Sequence, residues 1–133
     1  TLRQGFLSTE PERTVRIRVT GERAWLTIKG KTVGAARAEY EYAIPVEEAE
    51  RMLDTLCQRP LIEKTRYRVP AGPHTWEVDV FDGVNSGLVV AEIELGREDE
   101  VFEKPPWLGE EVTHDPRYFN SNLVRHPYRD WSD

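Results

Sequence analysis

The chain has 133 residues and a formal net charge of −6. Its length fits one domain with its own hydrophobic core, and we predict that residues 1–133 form a single domain. Hydrophobic residues make up 38% of the chain, charged residues make up 32%, and no apolar run approaches the ~20 residues of a membrane helix. Without such a run, no membrane is expected as a partner. Net negative charge is unfavourable for binding a phosphate backbone, so no nucleic acid is expected either.

Seven segments rich in β-branched and aromatic residues are predicted to form strands. They span residues 3–8, 15–20, 24–28, 37–44, 62–69, 75–81 and 87–95. Several of the connections between them contain glycine beside other turn-forming residues, which is typical of hairpins, so consecutive strands are predicted to pair antiparallel. Because closing the sheet removes its exposed edges, we favour a barrel of about eight strands.

Two helical segments are predicted alongside the strands. The first begins at Pro45, and apolar residues recur after it at helical spacing: Val46, Ala49, Met52, Leu53 and Leu56. The second covers residues 115–123 and begins with Asp115 as a cap before Pro116. The predicted fold class is therefore α+β, an antiparallel β-barrel or tunnel with a few packing helices.

Cys57 and the histidines are not expected to form a reactive site. Cys57 is the only cysteine, so the chain cannot form an internal disulfide, and we expect a reducing, cytoplasmic location. Cys57 falls on the first predicted helix without a histidine nearby, which favours a role in the core. His74, His114 and His126 lie beside turn-like residues without regular spacing, so no metal or catalytic role is assigned to them.

Charged or polar residues recur in pairs at positions i and i+2 of the predicted strands, where both side chains share one face. The basic or polar pairs are Arg16 with Arg18, Thr27 with Lys29, and Lys64 with Arg66. The acidic pairs are Glu39 with Glu41, Glu77 with Asp79, and Glu92 with Glu94. Any single pair is also typical of a water-facing sheet. The number of pairs and their separation by sign favour a charged interior.

A charged interior would bind ligands of two kinds, because buried charges without partners are costly. Arginine forms two parallel hydrogen bonds to a phosphoryl group, so the basic pairs favour a phosphate-containing anion. Carboxylates bind hard cations, and Mg²⁺ is commonly held by one or two carboxylates together with substrate phosphates and water. The pattern therefore predicts a site for a metal and a polyphosphate.

The motifs in series resemble the CYTH superfamily, the triphosphate tunnel metalloenzymes. They are RIR (16–18), TIK (27–29), EYE (39–41), EKTR (63–66), EVD (77–79) and EIE (92–94). The stretches PPWLGEEVT (105–113) and DPRYFNSNL (115–123) are similar to the C-terminal part of bacterial members. The resemblance implies an eight-stranded tunnel that hydrolyses inorganic triphosphate, or another short-chain triphosphate-containing substrate, with Mg²⁺ or Mn²⁺.

The resemblance also implies which residues act on the substrate. Phosphate oxygens would be bound by Arg16, Arg18, Lys29, Lys64 and Arg66. The metal would be bound by Glu92 and Glu94, with Glu77 or Asp79. Catalysis would involve Lys29 together with Glu39 and Glu41, which line the acidic side. In the family an ExExK strand completes the metal site, and none precedes Arg16, so we expect the first strand to be missing from this chain or supplied by a partner.

Two further functions stay open on the sequence alone. An adenylate cyclase of the same superfamily would use the same cations but release pyrophosphate, and it would need an adenine pocket that no motif indicates. A non-catalytic module that binds polyphosphate or nucleotide would fit the missing ExExK strand. Exposed sheet edges and aromatic residues permit a homodimer, although no heptad pattern requires one.

Overall fold

A computed structural model describes residues 1–33, 36–96, 100–113 and 115–131. Their centre is one antiparallel sheet in the order β4-β3-β2-β1-β5-β6-β7. The strands are β1 (Leu2–Glu10), β2 (Arg13–Thr20), β3 (Arg23–Val33), β4 (Ala36–Ile44), β5 (Ile62–Ala71), β6 (His74–Phe81) and β7 (Val89–Ile93). All seven predicted strands are confirmed, although β3 continues to Val33 and β7 is shorter than predicted.

The predicted helices occur at the expected places. The first, α1, spans Val46–Thr55 directly after Pro45. The predicted C-terminal helix is instead a 3₁₀ turn at Pro116–Tyr118 followed by α2 at Asn120–Arg125, because Phe119 between them is extended. Asp115 caps the turn as predicted, its carboxylate accepting a hydrogen bond from the Arg117 backbone N–H at 3.1 Å. No helix within the described ranges is long and apolar enough to cross a membrane.

The strand register sorts the side chains onto two faces. Thr27 lies opposite Arg16 on β2 and opposite Glu41 on β4, and Arg66 on β5 lies opposite Asp79 on β6. Residues opposite each other in an antiparallel pair project from the same face. The predicted grouping of the charged pairs on one face is therefore confirmed, except for Glu94, which lies beyond the end of β7. We call this the charged face.

The other face of the sheet is covered in part by α1. Its core comprises Ile17, Val19 and Ala24 of the sheet with Ala49, Leu53 and Cys57 of the helix and the residues after it. Cys57 is buried, as predicted, and burial raises the pKa of its thiol. A thiol with a raised pKa holds little nucleophilic thiolate at neutral pH.

One end of the charged face is closed by an apolar cluster. Phe6, Ile62 and Phe81 project from that face and pack against Leu88, Leu123 and Val124. Leu123 and Val124 belong to α2, which therefore lies against this end of the sheet.

The strands curl into a half-barrel, which confirms the α+β tunnel-type fold class. The described part of the sheet has β4 and β7 as its two edges. Each edge strand carries one of the predicted acidic groups, Glu39 and Glu41 on β4 and Glu92 on β7. The sheet thus runs from an acidic edge, across its centre, to a second acidic edge.

The histidines were predicted to have no role. His74 begins β6 and contacts the carboxylate of Glu100, and His126 follows α2, while His114 lies outside the described residues. No group of three or more histidine, cysteine or acidic side chains within those residues is arranged to hold a metal ion. The absence of a role for these histidines stays a prediction.

Gly5 in β1 tests the packing beside α1. A Cβ atom at this position would lie 2.8 Å from Cys57 Cβ and 2.8 Å from Leu61 Cδ2, so packed neighbours must move. We expect Gly5→Ala to lower the free energy of unfolding by about 1–3 kcal/mol in urea denaturation. Gly30→Ala is the matched control, because a Cβ there meets Ala38 Cβ at an ordinary 3.5 Å. Equal losses in the two variants would contradict this description of the core.

Candidate functional site

The charged face has a basic band at its centre and acidic groups at its edges. The basic band consists of Arg16 and Arg18 on β2, Lys29 on β3, and Lys64 and Arg66 on β5. The acidic groups are Glu39 and Glu41 on β4, Glu77 and Asp79 on β6, and Glu92 on β7. The central strand β1 lies between the two halves of the band and contributes the uncharged Gln4.

Arg16 and Arg18 are the two cations of the basic band that have no ion-pair partner within the described residues. They project from the same face of β2 about 6.7 Å apart along the strand. Within the described ranges, neither guanidinium is within ion-pair distance of an acidic side chain. Arg16 Nη2 instead donates to Thr27 Oγ1 at 3.4 Å, and Arg18 Nε donates to Gln4 Oε1 at 3.1 Å. These neutral acceptors leave both guanidinium groups without a direct ion-pair partner, although Glu41 attracts both from a longer distance.

Burial, and after it repulsion between neighbouring cations, lowers the pKa values on this side of the band. Burial, followed by repulsion from Arg18, lowers the pKa of Arg16 to about 10. Burial and the charge of Arg66 lower the pKa of Arg18, and burial and the charge of Arg16 lower the pKa of Lys29. An anion bound among these groups would favour their charged forms and reverse the shifts.

On the other side of the band the cations are paired with Asp79 and Glu77. Lys64 and Asp79 are almost completely buried, with 1% and 2% of their side chains exposed, and Lys64 Nζ lies 2.8 Å from Asp79 Oδ2. Arg66 donates to the same carboxylate through Nε at 2.8 Å and Nη2 at 3.0 Å, and its Nη1 lies 3.3 Å from Glu77 Oε2. Two predicted phosphate ligands are thus paired with two predicted metal ligands.

These contacts also set the pKa values of the buried network. Burial alone would raise the pKa of Asp79, but the hydrogen bonds from Arg66 and the charge of Lys64 outweigh it and lower that pKa overall. Burial lowers the pKa of Lys64, although Asp79 opposes the shift. The hydrogen bond to Asp79 raises the pKa of Arg66. Asp79 therefore remains a carboxylate at neutral pH.

The predicted metal ligands do not all lie together. Glu77 is opposite Glu92 in the register of β6 and β7, so the two carboxylates share the charged face. Glu94 lies beyond Ile93, where β7 ends, and its side chain is exposed. Two facing carboxylates fit a hard divalent cation such as Mg²⁺, because substrate oxygens and water complete its coordination. Glu77 and Glu92 are therefore the pair on this face that could hold the metal.

The predicted catalytic residues lie at the opposite edge. Lys29 is opposite Glu39 in the register, and Lys29 Nζ lies 3.9 Å from Glu39 Oε1. Glu41 lies opposite Thr27, and both glutamates are exposed. The long ion pair between Lys29 and Glu39 contributes little to stability. Because Glu39 and Glu41 are exposed, both carboxylates are available to solvent and to a ligand.

Two cavities lie along the basic band. The one beside α2 has a volume of about 150 Å³ and is lined by Arg16, Lys29 and Arg37, with Asn120 and Ser121 on the side of α2. The other has a volume of about 320 Å³ and is lined by Arg18, Arg66, Arg68, Trp25 and Glu41. Arg16 and Arg18, two positions apart on β2, therefore belong to adjoining cavities.

Polar residues beside this face that were not predicted from the sequence include Arg37, Asn120 and Gln4. Arg37 lines the smaller cavity and donates through Nε to the Gly30 carbonyl at 2.6 Å, and its position two residues before Glu39 was a usable signal. Asn120 Oδ1 accepts a hydrogen bond from Lys64 Nζ at 3.3 Å. Gln4 on β1 accepts a hydrogen bond from Arg18 on the neighbouring strand β2. The last two depend on tertiary contacts that no local pattern indicates.

The charged face of the half-barrel combines a basic band, which can bind an anion, with acidic edges, which can bind a cation. The CYTH domain family matches residues 1–128. The chain belongs to the CYTH domain family, as the motif series indicated.

Characterised relatives of the chain are inorganic triphosphatases. The protein of that name from Acetivibrio thermocellus is 52% identical over 131 residues, which cover 98% of this chain and 84% of the relative. The inorganic triphosphatase from Nitrosomonas europaea is 42% identical over 128 residues, which cover 92% and 83%. A crystal structure of the inorganic triphosphatase NE1496 superposes with a TM-score of 0.68 at 38% identity, again covering 92% of this chain and 83% of that one.

Asp79→Asn tests the buried ion network. The substitution leaves Lys64 buried without its anionic partner, so we expect the free energy of unfolding at pH 7 to fall by roughly 3–5 kcal/mol. Because folding lowers the pKa of Asp79 from its ordinary value of 3.8, the ionised carboxylate stabilises the fold above that pH. This contribution is lost as the pH falls through the folded-state pKa.

Urea denaturation at pH 7 and pH 3 separates the two effects. The wild-type chain should lose more stability between these pH values than Asp79→Asn does. Glu92→Gln is the control, because Glu92 is exposed and makes no ion pair within the described ranges. A variant at Asp79 that is as stable as the wild type at pH 7 would refute the structural role of the network.

Proposed function

We propose that the protein hydrolyses inorganic triphosphate on its charged face, with water as the nucleophile and diphosphate and orthophosphate as products. The observation that carries this proposal is the pair of guanidinium groups of Arg16 and Arg18, which have no carboxylate partner within the described residues. A short polyphosphate carries closely spaced negative charges that could pair with both guanidinium groups. Family membership and the two triphosphatase relatives support the same activity.

The basic band would hold the substrate. Arg16, Arg18 and Lys29 bind phosphoryl oxygens on the uncompensated side of β1, where an anion relieves repulsion among the three cations. Lys64 and Arg66 border the substrate on the other side, and Asp79 fixes their positions. Charge neutralisation across three phosphoryl groups is the main contribution that such residues make to phosphoryl transfer.

We propose Mg²⁺ or Mn²⁺ as the cofactor, held by Glu77 and Glu92. The other two predicted ligands, Asp79 and Glu94, each lie two positions further along the chain from one of these glutamates. Glu77 and Glu92 face each other across β6 and β7. When bound, such an ion neutralises charge on the phosphoryl oxygens and on the leaving group. Glu77 also contacts Arg66, so the same carboxylate links the proposed metal site to the basic band.

The attacking water would be oriented from the β4 edge. Glu39 and Glu41 are exposed carboxylates on that edge and can accept a proton from water. Lys29 lies between them and Arg16 and would neutralise charge on the transferred phosphoryl group. In-line attack by this water would require the leaving diphosphate to point away from the β4 edge, toward the proposed metal site.

Hydrolysis of inorganic triphosphate is favoured over the two other functions, because both characterised relatives are inorganic triphosphatases. Another short-chain triphosphate-containing substrate would be bound by the same cations and serves as the second candidate. We also propose that residues 1–133 act as a single domain in the cytoplasm, a location that suits the free thiol of Cys57. A homodimer stays a prediction.

Phosphate release tests the proposed activity. The protein is incubated with inorganic triphosphate and Mg²⁺ or Mn²⁺, with and without EDTA, and orthophosphate is measured over time. We expect release that requires the metal and stops with the chelator. Pyrophosphate produced from ATP without orthophosphate would indicate a cyclase, and a triphosphate-induced thermal shift without products would indicate a binding module.

Arg16→Gln tests the uncompensated side of the band. Loss of a charged ligand to the transferred group should lower kcat/KM for triphosphate by about 100-fold. Arg23→Gln is the matched control, because Arg23 is exposed at the start of β3 and lines neither cavity. The assignment of Arg16 to the substrate would be wrong if both variants retained wild-type kcat/KM.

The lowered pKa of Arg16 predicts a pH dependence of binding. Triphosphate stabilises the protonated guanidinium, so its affinity should fall as the pH rises through about 10, the pKa of Arg16 in the free protein. Isothermal titration without metal between pH 8 and pH 10.5 measures the effect, and circular dichroism confirms that the chain stays folded. Arg16→Gln should show a smaller fall. An unchanged dissociation constant over this range in the wild type would contradict the prediction.

A further inference from the structure

Gln4 lies at the centre of the basic band and is completely buried. It belongs to β1, between β2 and β5, and is opposite Arg18 in the register of β1 and β2. Its side chain therefore projects from the charged face between Arg18 and the pair Lys64 and Arg66. Gln4 belongs neither to the motif series nor to the proposed ligands of the substrate and the metal.

The orientation of the Gln4 amide is determined by Arg18. Arg18 Nε carries a hydrogen and can only donate, and it lies 3.1 Å from Gln4 Oε1. The carbonyl oxygen must therefore face Arg18, and the NH₂ group must point away from it. A rotated amide would place N–H groups of both residues against each other.

This orientation leaves the Gln4 amide without a partner. Gln4 Nε2 is buried and has no hydrogen-bond acceptor within the described part of the chain. Arg16 Nε on the neighbouring strand is buried and unpartnered in the same way. Buried donors without acceptors are rare and destabilising. An apolar side chain would fill this space without leaving a donor unpaired, so packing alone does not account for Gln4.

We infer that Gln4 is a positioning residue of the phosphate-binding band. Its carbonyl holds the Arg18 guanidinium through Nε and so keeps the two terminal nitrogens of Arg18 free for phosphoryl oxygens. Without this acceptor, nothing on β1 would fix the direction of the Arg18 guanidinium, since the side-chain hydrogen bond that it makes within the described residues is the one to Gln4. The inference rests on the proposed binding of triphosphate to this face.

Gln4→Met separates a positioning role from a structural one. Methionine has a similar length, but it removes the unpartnered amide and the acceptor for Arg18. We expect the midpoint of thermal unfolding to change little, because the variant exchanges the unpartnered Gln4 amide for an unpartnered Arg18 Nε. The dissociation constant for inorganic triphosphate, measured by titration calorimetry without metal, should rise about tenfold. Gln58→Met is the matched control, because Gln58 is exposed and lines neither cavity, and it should leave the dissociation constant unchanged.

A double-mutant cycle with Arg18→Met tests whether Gln4 acts through Arg18. In the Arg18→Met background, adding Gln4→Met should change the dissociation constant by less than about twofold, because the group that Gln4 positions is gone. An equal, roughly tenfold, rise in both backgrounds would overturn the inference. So would an unchanged dissociation constant in the single variant Gln4→Met. Failure of the wild-type chain to bind triphosphate would instead overturn the proposed function, and the inference with it.

Discussion

The buried carboxylate of Asp79, held between Lys64 and Arg66, is the interaction on which the arrangement of the charged face depends. Lys64 has only 1% of its side chain exposed and would be costly to bury without this partner. Because Asp79 and Glu77 pair with Lys64 and Arg66 on β5, the cations of the band without an ion-pair partner within the described residues lie on β2, at Arg16 and Arg18. The substrate position that we propose follows from this asymmetry: an anion gains most where the protein supplies cations without partners.

A single sheet separates the proposed chemistry from much of the hydrophobic core. Side chains of β2 that point away from the charged face, Ile17 and Val19, pack with α1, while the alternate positions carry Arg16 and Arg18. The helix α2 closes one end of the charged face with Leu123 and Val124 and also brings Asn120 to Lys64. The same docking therefore contributes to stability and shapes the cavity beside Arg16. A change in α2 is expected to affect both properties.

Much of the fold followed from local patterns, whereas the connections within the site did not. Alternating residues such as Glu39, Tyr40 and Glu41 identify a strand and its two faces, because the side-chain period of a strand is fixed at two. The pairing of Arg66 with Asp79 depends on the register between β5 and β6, which the pattern on either strand leaves undetermined. Predicted phosphate ligands and predicted metal ligands thus turned out to contact each other. Glu94 was placed on β7 by the same alternation, but the strand ends one residue earlier, at Ile93.

The central claim is that triphosphate binds along the basic band at Arg16 and Arg18, and a crystal structure of the chain with triphosphate tests it most directly. We predict phosphoryl oxygens within hydrogen-bond distance of both guanidinium groups, with the Lys64 to Asp79 contact intact. Triphosphate bound elsewhere, for example at the exposed Arg117 beside α2, with the band filled only by water, would contradict the account.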